Sequence, residues 1–221
     1  MRKHSAFTLV EVLIAVMMSA YIALAMAAIY STASRHMFQD YRSNIVKGNL
    51  GVAMRAINNA VTQSNRIDAP APGTSGFTLA VVANMDQLSN CAPIMAGQPV
   101  LVHYFCINAA AGITSLNYYY RTVNPPAACA CPTTALAVGA CNVTYPPTCA
   151  GPTPNWTYIK LADNMDTSAS MFSRVAGDYV NDNMSVGVNL RSIWTPTLGL
   201  ATTQRKVDFN LKSIYSVSRA K

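Results

Sequence analysis

From Phe7 to Tyr30 the chain carries one formal charge, Glu11, in a run that is otherwise neutral and largely apolar. Val12 to Tyr30 alone approaches the roughly 20 residues that cross a bilayer as a helix. No other feature of the sequence constrains the fold as strongly. A lone carboxylate in lipid costs on the order of several kcal/mol, so Glu11 needs a partner or a role. Arg2, Lys3 and His4 precede the run, and positive charge there favours a cytoplasmic front end with export of the chain beyond the apolar run. A secretory signal would be shorter and would break after a small-residue cleavage site. Here the pattern continues through Arg35, His36, Met37 and Phe38 to residue 65 without a proline.

The continuation has helical period. Val46, Leu50, Met54, Ile57 and Val61 line one face, while Lys47, Asn49, Arg55, Asn58 and Asn59 point elsewhere. Gly48 and Gly51 weaken this middle section by roughly 1 kcal/mol each and mark a soft region. The pattern predicts a helix from Phe7 to Arg66, roughly 90 Å long at about 1.5 Å per residue. Its first half faces lipid and its second half lies on a domain.

After Arg66 the stretch Asp68–Gly76, DAPAPGTSG, reads as a turn-rich break, and short alternating runs succeed it. Strands are expected at Phe77–Ala83, Val100–Asn108, Ile113–Val123, Trp156–Leu161, Asp182–Trp194 and Lys206–Val217, with Ala162–Phe172 a short helix or loop. Val186, Val188 and Leu190 alternate with Ser185, Asn189 and Arg191, which argues for antiparallel strands packed on one face. The long helix is the natural cover for that face. The fold class is α+β.

Six cysteines, Cys91, Cys106, Cys129, Cys131, Cys141 and Cys149, all lie beyond the apolar run and form an even set, which reads as disulfides in an oxidising compartment. Their connectivity is open. Cys91 with Cys106 plus two bridges inside 129–149 is the most local choice. The net charge of +7 is scattered and does not call for nucleic acid. His103 has no visible partner and reads as an ordinary strand residue. Only three histidines and nine acids are present, with no glycine-rich phosphate loop and no zinc spacing, so neither catalysis nor a cofactor or metal is expected. Asp163, Asn164 and Asp166, like Asp178, Asn181, Asp182 and Asn183, are oxygen-rich but read as turns. Tyr118, Tyr119 and Tyr120 alternate faces, so at least one is expected to be exposed or at a subunit boundary.

Residues 6 to 17, AFTLVEVLIAVM, resemble the N-terminal signature of type IV prepilins and of the pseudopilins of type II secretion: a short leader, then Phe7, Thr8, Leu9 and Glu11 opening an apolar helix. The residue before the cut is Ala6, where the family usually has glycine. The resemblance implies a leader at 1–6 removed by prepilin peptidase, N-methylation of Phe7, and extraction of the helix from the inner membrane into a filament. Glu11 of one subunit would then neutralise the Phe7 amine of a neighbour, each charge offsetting the other's desolvation. A second resemblance, to the larger minor pilins of the W and J types, rests on YIKLADNM before Phe172, on SVGVNLRSIW and on the closing FNLKSIYSVSRAK; the cysteine-rich insertion 125–154 departs from it.

These likenesses imply a membrane and filament-core helix at 7–30, its amphipathic continuation at 31–66 and an exported β-rich domain at 67–221. They imply a non-enzymatic minor pilin that helps initiate or cap a type IV pilus. The corresponding minor pseudopilin and a tip adhesion subunit are the alternatives. The partners implied are prepilin peptidase, other pilins or pseudopilins meeting through the helix, and the inner-membrane assembly platform. The implied location is the inner membrane with a cytoplasmic N-terminus, then a periplasmic or cell-surface filament.

Overall fold

The computed structural model of the chain describes residues 8–85, 94–95, 98–110, 112–124, 145–146, 148–175, 185–196 and 205–217. One helix, α1 (Leu9–Gln63), precedes nine strands: β1 (Arg66–Ala69), β2 (Ser75–Gly76), β3 (Leu79–Ala83), β4 (Val100–Ala110), β5 (Ile113–Val123), β6 (Thr157–Asp163), β7 (Phe172–Ser173), β8 (Ser185–Trp194) and β9 (Val207–Ser216). Contacts divide the chain into two units, residues 1–44 with 196–205, and residues 45–195 with 206–221.

In the larger unit the helix lays one stripe on two sheets. Val46, Leu50, Met54, Ile57 and Val61 are at most 9% exposed, and Ala53 and Ala60 fill the space between them. Burying a leucine or isoleucine side chain contributes about 1.5–3 kcal/mol, so Leu50 and Ile57, both fully enclosed, outweigh the glycine penalty of this segment. The helix accordingly runs unbroken through Gly48 and Gly51. It ends at Gln63, earlier than the periodicity suggested. Ser64 turns its hydroxyl back to the Ala60 carbonyl (2.6 Å), and the Asn65 amide donates to Val82 (2.9 Å), which commits Arg66 to a strand.

Two antiparallel sheets take the place of the one that alternation suggested. One has the order β1-β3-β4-β5-β6 and the other β2-β7-β8-β9. Both contribute to the core under the helix: Leu79, Phe105 and Leu116 from the first, Phe172, Val188 and Leu190 from the second. The segment read as a short helix or loop after β6 is a loop that links the sheets, with the Asp166 amide donating to Arg191 (2.8 Å) and the Ile193 amide to Asn164 (2.8 Å). At the β7–β8 pairing Ser173 faces Gly187, where a Cβ would lie 2.6 Å from the serine Oγ, so any larger residue would turn that hydroxyl aside.

The five-stranded sheet is covered on both faces. Toward the helix, Leu79, Phe105 and Tyr118 stand in cross-strand register, and the Phe105 and Tyr118 rings stack at 4.4 Å. On the opposite face Ala80, Tyr104, Tyr119 and Tyr158 line up, with Tyr145 against Tyr104 at 5.6 Å. The tyrosine run therefore packs inward: Tyr119 is fully buried, and Tyr118 and Tyr120 are half-buried.

His103 has the partner its sequence context did not reveal. Its Nδ1 lies 2.7 Å from the Tyr118 hydroxyl, and the two rings stack. Burial lowers its pKa to about 4, so the imidazole is neutral in the folded protein. The unfolded chain takes up this proton near pH 6.5, so stability is full above that pH and falls as pH drops toward 4. Between pH 7.5 and 5 the loss is about 2 kcal/mol, read as a lower denaturant midpoint, and His103→Phe flattens the dependence.

Candidate assembly surface

From Leu9 to Tyr30, every exposed large apolar side chain is at least 51% open. No face of this stretch is set aside for the chain's own domain, which is the pattern of a helix in lipid or among other helices rather than in water. It is the one helix among the described residues long and apolar enough to cross a membrane. The polar side chains within it are turned inward chemically: Ser19 donates to the Ala15 carbonyl (2.8 Å), and Thr32, just beyond, to Ala28 (2.9 Å). Such back-bonding removes hydroxyl donors from the hydrocarbon.

Glu11 sits at the start of this helix in a reciprocal cap. Its Oε2 accepts from the Thr8 amide (3.0 Å) and the Thr8 hydroxyl (3.0 Å), while the Glu11 amide donates to that hydroxyl (3.3 Å). A threonine with glutamate three residues later is the capping-box signature, and the stretch TLVE carried it in plain view. The carboxylate thus meets the partial positive charge of its own helix terminus. Beside it Val12, Ala15, Val16 and Ser19 line an open groove of about 410 Å³. Small residues such as Ala15 and Ser19 let helix backbones approach closely in membranes. Ala6 and Phe7, the expected processing pair, lie outside the described residues.

The packing stripe and the apolar stretch share α1 but have opposite surroundings. Val46, Leu50, Met54, Ile57 and Val61 are enclosed by the domain, whereas Leu9 to Tyr30 are not enclosed at all. Arg205 belongs to the unit that contains the apolar stretch. There Gln39 makes a paired contact with its backbone, donating from Nε2 to the Arg205 carbonyl (3.1 Å) and accepting the Arg205 amide on Oε1 (3.1 Å).

Among the disulfide candidates, Cys106 is bridged to Cys149, 43 residues away. The most local pairing is thereby corrected: Cys106 is not joined to Cys91, and 129–149 cannot hold two bridges of its own. The reason lies in the register. Cys106 points to the sheet face that carries Tyr104 and Tyr119, and residues 149–151 are held against that face. Asn117 donates to the Cys149 carbonyl (2.8 Å), and Tyr119 donates to the Gly151 carbonyl (2.7 Å) while accepting the Gly151 amide (3.1 Å). Cys91, Cys129, Cys131 and Cys141 lie outside the described residues.

Below this strap a buried polar group closes the sheet edge. Arg66 and Asp68, 1% and 4% exposed at their side chains, pair at 2.6 Å, and the Tyr145 hydroxyl donates to the same carboxylate. Burial and the Asp68 charge hold the Tyr145 hydroxyl well above its usual pKa. The oxygen-rich turns hold their carboxylates otherwise: Asp163 meets Lys160 at 2.9 Å, and Arg191 bridges Asp166 (3.0 Å) and Asp208 (2.5 Å). Asp178, Asn181, Asp182 and Asn183 lie outside the described residues. No group of three or more His, Cys, Asp or Glu side chains is placed to hold a metal ion among the described residues.

The architecture is pilin-like, a long N-terminal helix whose second half packs on antiparallel sheet. Compared with protein families, curated proteins and solved structures, the chain matches none. A non-reducing peptide map tests the strap directly: the Cys106 peptide is expected joined to the Cys149 peptide. A fragment joining Cys106 to Cys91 would contradict it.

Proposed function

We propose that the chain is a minor pilin, a non-enzymatic filament subunit made as a membrane-held precursor. The observation that carries this reading is the division of labour along α1. One stretch is enclosed by a folded domain, and the other leaves its apolar side chains open on every face. A helix of the second kind is stable only in a bilayer or among similar helices, and a subunit that moves from one to the other needs no new chemistry. The leader resemblance supplies the order of events: prepilin peptidase cuts between Ala6 and Phe7, Phe7 is methylated, and the inner-membrane platform passes the helix to neighbouring pilins. The N-terminus faces the cytoplasm and the β-rich domain is exported.

Glu11 then changes partner. In the isolated chain its charge is met by Thr8 and the helix terminus. In a filament the free amine of a neighbour's Phe7 supplies a full positive charge, and the groove along Val12, Ala15, Val16 and Ser19 lets that neighbour close in. Gly48 and Gly51 have open space where a Cβ would stand, and they suit close helix approach farther along.

The same helix would serve a pseudopilin of a secretion machine, and both readings share the processing and packing described. A tip adhesion role would rest on the insertion, of which 125–144 lie outside the described residues.

Substitution at position 11 separates assembly from folding. Glu11→Gln retains a capping-competent side chain but no charge. In the native host it is expected to leave the precursor cleaved and the exported domain folded, while incorporation into filaments falls at least about tenfold, the ratio that 1.4 kcal/mol corresponds to. Normal incorporation of Glu11→Gln, or loss of the folded domain, would contradict the assigned role.

A further inference from the structure

We propose that Thr32, Arg35, His36, Gln39 and Arg205 form a site for the headgroup phosphate of an anionic phospholipid. The inference rests on the membrane-held reading above. These five residues line a groove of about 310 Å³ within the unit that contains the apolar stretch. Its depth is set by the chain: Arg35 is the first charged residue after Glu11 and lies five positions beyond Tyr30, or about 7.5 Å of helix. That places the guanidinium at headgroup level, about one and a half turns past an aromatic residue of the kind that settles at the interface.

The groove is built of donors and cations. Arg35 and Arg205 offer planar forks that match phosphate oxygens two at a time, and His36 adds ring nitrogens. Gln39 holds the Arg205 backbone by two hydrogen bonds, which keeps that residue beside the helix although 166 residues separate the pair in sequence. Thr32 has committed its proton to Ala28 and presents only a small polar rim.

The charges are also unspent. Arg66, Lys160, Arg191 and Lys206 each face an aspartate, whereas Arg35 and Arg205 are in no ion pair among the described residues. Asp40 lies on the same helix but does not line the groove. In the proposed orientation these cations stand on the exported side, where they do not help to set topology. A pair of arginines outside any ion pair among the described residues, at headgroup depth, is a fit for an anionic lipid. A zwitterionic lipid offers the same phosphate already neutralised by its own cation.

The test uses the full chain in detergent micelles, titrated with phosphatidylglycerol or with phosphatidylcholine of matching acyl chains and read by native mass spectrometry. Phosphatidylglycerol is expected to be retained at least about fivefold better, with each of Arg35→Gln and Arg205→Gln removing about fivefold, the factor that corresponds to one cation at an anionic surface. Arg55→Gln, an exposed cation outside the groove, leaves retention unchanged. Millimolar inorganic phosphate does not displace the lipid. Equal retention of the two lipids, insensitivity to both arginine variants, or displacement by free phosphate would overturn the site. Flotation with neutral phosphatidylcholine vesicles separates the two claims. Flotation without a phosphatidylglycerol preference removes the site alone, and failure to float removes the membrane reading and the site with it.

Discussion

The burial of a single helical stripe, Val46 to Val61, is the constraint on which the remaining structure depends. Both sheets send apolar side chains to it, Phe105 and Leu116 from one and Phe172, Val188 and Leu190 from the other, so the largest buried cluster is not closed without the helix. An apolar sheet face needs a second layer to exclude water, and here the helix is that layer. The same dependence fixes the meaning of the first half of the helix. Since the domain is complete with residues 46–61 enclosed, Leu9 to Tyr30 contribute nothing to it and are free to serve another solvent.

The far face of the five-stranded sheet solves a different problem. A sheet covered by a helix on one side still needs protection on the other. Here a short strap does this with a disulfide, three hydrogen bonds and a row of tyrosines. The Arg66–Asp68 pair with Tyr145 finishes the edge. Such a buried pair adds little net stability when intact, but removal of one partner costs about 3–5 kcal/mol because the other charge is left without compensation. Both charges belong to β1, so what they fix beyond each other is the strand's contact with Tyr145, whose hydroxyl donates to Asp68.

Much of this was legible in the sequence where periodicity was long. The stripe at 46–61 and the alternation of Val186, Val188 and Leu190 come directly from helical and strand repeat, because many residues vote for one face. Short elements had no such support. β1, β2 and β7 span two to four residues, and β1 starts at the expected helix end and runs into the stretch that reads as a turn, so pairing across the fold decides them. Gly48 and Gly51 do not interrupt the helix, because local propensity is weak against the burial of Leu50 and Ile57. The Cys106 partner was not legible, since the strand face that presents Cys106 is set by register and not by proximity along the chain. His103 is the strand residue expected, and only its partner was hidden, for the same reason: Tyr118 is brought to it by the β4–β5 pairing. The cap of Glu11 by Thr8 was readable and needed only the local motif. The cradle around Arg35 was not, because Gln39 recruits Arg205 from the other end of the sequence.

Filament subunit and plain anchor part company at the N-terminus. An exported domain on a plain membrane anchor would keep its leader. A filament subunit must shed it to create the amine that Glu11 is to meet. Intact mass and N-terminal sequence of the protein extracted from its own host's membranes decide between these directly. Assembly through Glu11 predicts a chain that begins at methylated Phe7; a chain that still begins at Met1 would contradict it.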